Sequence, residues 1–149
     1  MAPLGTARTI HACCVLQSSL VIIGGQIDEE VVGSASVEMF AEGGVAVTNQ
    51  PPLPCGRIDE AAAIAMDESG SAAGQVLLLG GFDEDEEVVS TVYPVDLATG
   101  VCTTQPNLLR AGRQFAAARL PDGRVVCAGG GGSDGIVLSW GEVFQPPAR

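Results

Sequence analysis

Three stretches of the chain end alike: Leu20-Val-Ile-Ile-Gly24-Gly25, Val76-Leu-Leu-Leu-Gly80-Gly81 and Arg124-Val-Val-Cys-Ala-Gly129-Gly130, each a short apolar run closed by two glycines. An arginine precedes each of them, at Arg8, Arg57 and Arg113. From arginine to first glycine the intervals are 16, 23 and 16 residues, and from first glycine to the next arginine 33 and 33. Such agreement marks a repeat with a period of about 50 residues, whose middle copy carries a seven-residue insertion. A period of that size restricts the fold to solenoids, propellers or arrays, because one unit cannot bury its apolar faces alone.

The copies agree beyond the glycines. At an offset of 56, Gly44-Val45 falls on Gly100-Val101 and Arg57 on Arg113. A small-residue run follows each arginine: His11-Ala-Cys-Cys-Val-Leu16, Ala61-Ala-Ala-Ile-Ala-Met66 and Ala116-Ala-Ala-Arg-Leu120. Glu142-Val-Phe144 echoes Glu38-Met-Phe40. These correspondences set repeat one at about 8–56, repeat two at about 57–112 with an inserted loop at 68–74, and a partial repeat three at about 113–149.

Each copy presents strand signals in one order. First strands are expected over 11–16, 61–66 and 115–120, and second strands over 19–24, 75–80 and 124–129. Third strands are expected over 35–40, 89–95 and 137–144, with weaker fourth strands over 45–49 and 101–105. The second strands are continuously apolar, as strands buried on both faces are. Pro121-Asp122-Gly123 is a strong hairpin signal between the first two strands of the third copy. Four antiparallel strands in about 50 residues make one propeller blade. Twenty glycines and nine prolines leave no room for long helices, and a hydrophobic content of 46% predicts a packed all-β core.

The apolar run, the double glycine, the Val37-Glu38-Met39-Phe40 segment, a Pro-rich turn and an arginine before a small-residue strand resemble the kelch repeat. The resemblance runs from about Met1 to Pro147 and implies a kelch-type β-propeller portion of about two and a half to three four-stranded blades. It departs from the pattern in two places. No tryptophan stands in the fourth strand, where Ala46/Val47 and Cys102/Thr103 occur, and Tyr93-Pro94 replaces the Val-Glu pair in the middle copy. Gly24, Gly25, Gly80, Gly81, Gly129 and Gly130 are the structural positions of the motif. A closed propeller uses about four to eight blades, so the chain is expected to be a portion of a longer propeller or to complete a ring by self-association of two or three copies.

Charge narrows the partners. A net charge of -11 with no lysine at all argues against nucleic acid and anionic membrane. No run approaches the roughly 18 apolar residues of a membrane span, and no secretory signal opens the chain. With five cysteines in no metal-ligand spacing, a reducing, cytoplasmic setting is expected. A lone histidine completes no typical zinc site, and no cofactor is expected.

Antiparallel connectivity puts the loop between second and third strands on the same side as the segment leading into the next first strand. Arg8, Arg57 and Arg113 are therefore expected on one face with two acidic loops, Asp28, Glu29, Glu30 and Asp83, Glu84, Asp85, Glu86, Glu87. Those loops hold eight of the eighteen carboxylates. Arginine forks grip carboxylates or phosphates bidentately, and acidic loops draw in a basic partner. The same arginines would alternatively hydrogen-bond carbonyls between blades, and the acids would alternatively serve solubility. The resemblance implies a non-enzymatic protein–protein interaction module, such as the substrate-binding part of a ubiquitin-ligase adaptor or another scaffold. An alternative is a piece of a galactose-oxidase-like or sugar-acid-isomerase-like propeller enzyme whose catalytic residues lie elsewhere, since His11 and Tyr93 alone cannot assemble the copper-radical site.

Overall fold

Each apolar run before a glycine pair becomes an inner strand of an antiparallel sheet. The computed structural model describes residues 3–27, 33–56, 58–66 and 74–146. The first sheet runs in chain order through β1 (Ala12–Leu16), β2 (Ser19–Ile23), β3 (Val37–Ala41) and β4 (Thr48–Gln50). The second is β5 (Ala62–Ala65), β6 (Gln75–Leu79) and β7 (Val92–Asp96), and the third is β8 (Ala116–Arg119), β9 (Val125–Ala128) and β10 (Gly141–Phe144). The described residues contain no helix, so none long and apolar enough to cross a membrane.

First and second strands fall within one residue of the bounds expected from the sequence. Third strands start later than expected, because the residues before them bond elsewhere. Ala35 and Ser90 offer their carbonyls to Leu53 and Leu108 of the segments entering the next sheet. The fourth strand of the middle copy shrinks to a bridge between Val95 and Cys102. Thr103 donates to the Pro94 carbonyl at 3.1 Å, but proline has no N–H to return that bond, so the ladder cannot propagate.

The middle strand shows why its sequence is apolar throughout. Val76 and Leu78 enter one core with Ala12, Val21, Ile23 and Val37 of the first sheet. Leu77 and Leu79 point the other way, into a core with Phe115, Val125, Cys127 and Phe144 of the third. All four are at most 3% exposed, and each contributes about 2 kcal/mol by burial. The second sheet is thus packed on both faces, with β5 lying beside β1 on one side and β8 on the other.

The two sheet–sheet interfaces carry the same four backbone hydrogen bonds. Between the first two sheets, Gly25 donates to Ile58, Ile58 to Ser34, Leu53 to Ala35 and Glu60 to Ile10. Between the second and third, Gly81 donates to Gly112, Gly112 to Val89, Leu108 to Ser90 and Gln114 to Glu60. Ile10, Glu60 and Gln114, the rungs of the last bond, are left-handed at φ 45°, 53° and 52°. Left-handed geometry costs an ordinary residue about 1–2 kcal/mol, and here the ladder enforces it.

Close approach explains the first glycine of the pair. A Cβ on Gly80 would lie 2.5 Å from the Gly112 carbonyl oxygen, and one on Gly24 would lie 2.2 Å from that of Ile58. Only glycine admits a neighbouring backbone that near at positive φ. Gly129 has the same conformation, φ 73°, with none of the described residues within 4 Å of its missing Cβ.

Cys14, Cys55, Cys102 and Cys127 pack as small apolar residues, while Cys13 is exposed. Cys55 and Cys102 share a thiol hydrogen bond beside the first core. Burial pushes Cys102 up to about 12 and Cys127 up to about 11, which keeps both protonated at neutral pH.

Candidate binding surface

Arg8 and Arg113 do not share a position. Arg113 exchanges backbone bonds with Gly131, as Thr9 does with Gln26 and Asp59 with Phe82. Arg8 lies one residue earlier, and its environment differs accordingly. Its guanidinium donates to Gly24 O at 2.8 Å and Ser36 O at 3.5 Å and pairs with Glu38 at 2.8 Å. The side chain is 0% exposed. Arg8 is therefore a buried strut of the first sheet, holding carbonyls and a carboxylate inside the molecule, and it lines no surface. Arg57, Asp28, Glu29 and Glu30 lie outside the described residues.

Glu38 also accepts from the Gly5 and Thr6 amides at 3.1 and 3.0 Å. Glu142 does the same in the third sheet, where both its oxygens take the Leu109 amide at 2.9–3.0 Å. In the second sheet the corresponding place on β7 is Tyr93, which pairs with Leu78 as Glu38 pairs with Ile22. Pro54, after Leu53 as Leu109 is after Leu108, has no N–H to donate. Acceptor and donor are missing together, which leaves no orphan.

Arg113 does reach a surface. Its Nη1 meets Glu60 Oε2 at 2.6 Å, its guanidinium lies 5.2 Å from the Phe82 ring centroid, and its side chain is 26% exposed. Phe82 leads directly into the loop of residues 83–87. That loop is closed by Asp83, whose Oδ1 accepts from the amides of Asp85 and Glu87 at 3.0 Å each. Asp83 thus shapes the loop, while Glu84, Asp85, Glu86 and Glu87 are exposed. Arg113 thus lies over Phe82, the residue from which this acidic loop departs.

Two acids that pattern reading missed complete the cluster. Asp59 is 5% exposed and accepts from Gln26 Nε2 at 2.9 Å. Burial pushes its carboxyl above the usual range; the Gln26 hydrogen bond opposes this, Glu60 and Glu86 reinforce it, and Arg113 opposes it. Asp59 Oδ1 and Arg113 Nε are both buried without a partner among the described residues. The available signal was Asp59-Glu60 itself, two charges where the other copies have Thr9-Ile10 and Arg113-Gln114. His11, just before β1, is held below its usual value by burial and then by Arg8. Among the described residues, no three His, Cys, Asp or Glu side chains are arranged to hold a metal ion.

No family model matches the chain, and no curated protein matches it.

Proposed function

We propose that the chain is a kelch-type propeller portion and a protein–protein interaction module, whose partner-facing surface is the Arg113–Phe82 face with its acidic loop. The observation that carries it is Arg113, 26% exposed and clamped by Glu60 over Phe82, the residue that leads into a loop with four exposed carboxylates at 84–87. An arginine fork pre-set by Glu60, with an acidic loop following the ring beneath it, fits a basic protein segment that also offers a carboxylate. The propeller reading is supported by the stacked antiparallel sheets, their adjacent first strands and the recurring four-bond interface. An adaptor role of the kind the kelch resemblance implies would place its substrate on this face.

The test is titration with a lysine-rich peptide at low and moderate salt. Replacing Glu84, Asp85, Glu86 and Glu87 with their amides should weaken binding at least tenfold. Neutralising Glu42, Asp122 and Asp134, exposed acids elsewhere, should change it far less. Equal losses in both variants would reduce the attraction to net charge and remove the proposed face.

A further inference from the structure

Every sheet here has two apolar faces, and the chain joins them by one rule. The face of the first sheet bearing Val21, Ile23 and Val37 packs on the Val76, Leu78 and Val95 face of the second. The opposite face of the second, with Leu77, Leu79 and Val92, packs on the Val125, Cys127 and Phe144 face of the third. Strand pairing places Ala116, Ala118, Val126, Ala128 and Val143 on the outer face of the third sheet. It places Cys13, Val15, Leu20, Ile22 and Phe40 on the outer face of the first. Val143 is 52% exposed, Val15 64% and Leu20 38%. No charge interrupts the first of these sets, and the one acid on the second face, Glu38, is neutralised internally by Arg8.

These two surfaces are the two halves of the interface already made twice. The backbone groups agree. Gly25 and Gly81 donate across an interface, whereas Gly130 makes no such bond among the described residues. Leu138 corresponds to Ser34 and Val89, all three donating to the second glycine of their pair, but its carbonyl accepts no backbone amide among the described residues. Among the described residues the left-handed ladder begins at the Ile10 amide and ends at the Gln114 carbonyl. At Gly129 no described residue fills the space that Ile58 and Gly112 fill elsewhere.

We propose that the outer face of the third sheet docks on the outer face of the first sheet of a second copy, head to tail. The Gly130 amide then donates to the second copy's Arg8 carbonyl, whose oxygen occupies the space over Gly129. The second copy's Arg8 amide donates to Leu138 and its Ile10 amide to Gln114. The contact is heterologous, so copies form a ring if the rotation closes and an open series if it does not. It is independent of what the Arg113 face binds.

Sedimentation velocity of the 149-residue chain over a concentration series tests it. The unmodified chain should associate as concentration rises. Val143→Arg and Val15→Arg should each abolish association when alone, yet a mixture of the two should give a 1:1 dimer, because each variant keeps the half the other lost. Ala118→Arg, at a second exposed position on the third sheet, should behave as Val143→Arg does, with circular dichroism unchanged. A chain that stays monomeric at its solubility limit, a single variant that still associates, or a mixture that stays monomeric would each overturn the proposal.

Discussion

Arg8 and Glu38 meet at 2.8 Å across 30 residues of sequence, with side chains 0% and 2% exposed. Glu38 also takes two backbone amides from residues 5 and 6. Removing one member of a buried pair leaves an uncompensated charge and costs about 3–5 kcal/mol. Glu38→Ala should lie at the upper end, since it orphans two amides as well as the arginine, and Arg8→Ala at the lower end. An apolar pair, Arg8→Met with Glu38→Leu, should recover part of the loss. Urea unfolding of the three variants measures this, and a loss below about 1 kcal/mol for either single change would mean the pair behaves as a surface pair.

Asp59 gives the chain a pH signature. A carboxyl raised above its free value binds its proton more tightly when folded, so its stabilising effect is complete below that value and lost as pH rises through the folded one. The ordinary value is 3.8. Asp59→Asn keeps an acceptor for Gln26 and removes the titration. The variant should melt above the unmodified chain at pH 7, and the difference should vanish below pH 3.8. Melting curves from pH 3 to 7 check the sign.

Gly80 and Gly129 share a backbone conformation and differ in what lies outside them. Gly80→Ala drives a methyl into the Gly112 carbonyl at 2.5 Å and the Phe115 ring at 2.8 Å, costing about 3 kcal/mol. Gly129→Ala meets open space and should cost only the strain of positive φ, about 1 kcal/mol. Chemical denaturation at a concentration where the chain is monomeric compares them directly.

The loops 83–87 and 132–136 carry the same two backbone bonds, Asp83 to Glu87 and Glu86 to Asp83 in one, Gly132 to Ile136 and Gly135 to Gly132 in the other. Glu86 sits at φ 60° where Gly135 sits at φ 74°. Glu86→Gly should therefore raise stability by about 0.5–1 kcal/mol, read as a higher melting temperature.

The first and second strands were legible because apolar runs and glycine pairs encode two-sided burial and close backbone approach, and both signals are local. The arginines misled because equal intervals in sequence concealed unequal positions in space: Arg8 lies four residues before β1 and Arg113 three before β8. One residue was enough to turn one guanidinium inward and leave the other at the surface. The left-handed Ile10, Glu60 and Gln114 carry no glycine or asparagine to announce them. Glu38 and Glu142 were visible as matching letters, but their task depends on amides 32 to 33 residues away, a relation that only the fold reveals. The joint occurrence of Tyr93 and Pro54 becomes meaningful only once that relation is known.

Residue-resolved amide hydrogen exchange, in dilute solution where the chain is monomeric, tests most directly whether three sheets are stitched by two like interfaces with a third left open. Gly25, Gly81, Glu60 and Gln114 should exchange slowly, as amides bonded across packed sheets, while Gly130 should exchange near the free rate. Fast exchange at Gly25 and Gly81, or equal protection at Gly130, would contradict it.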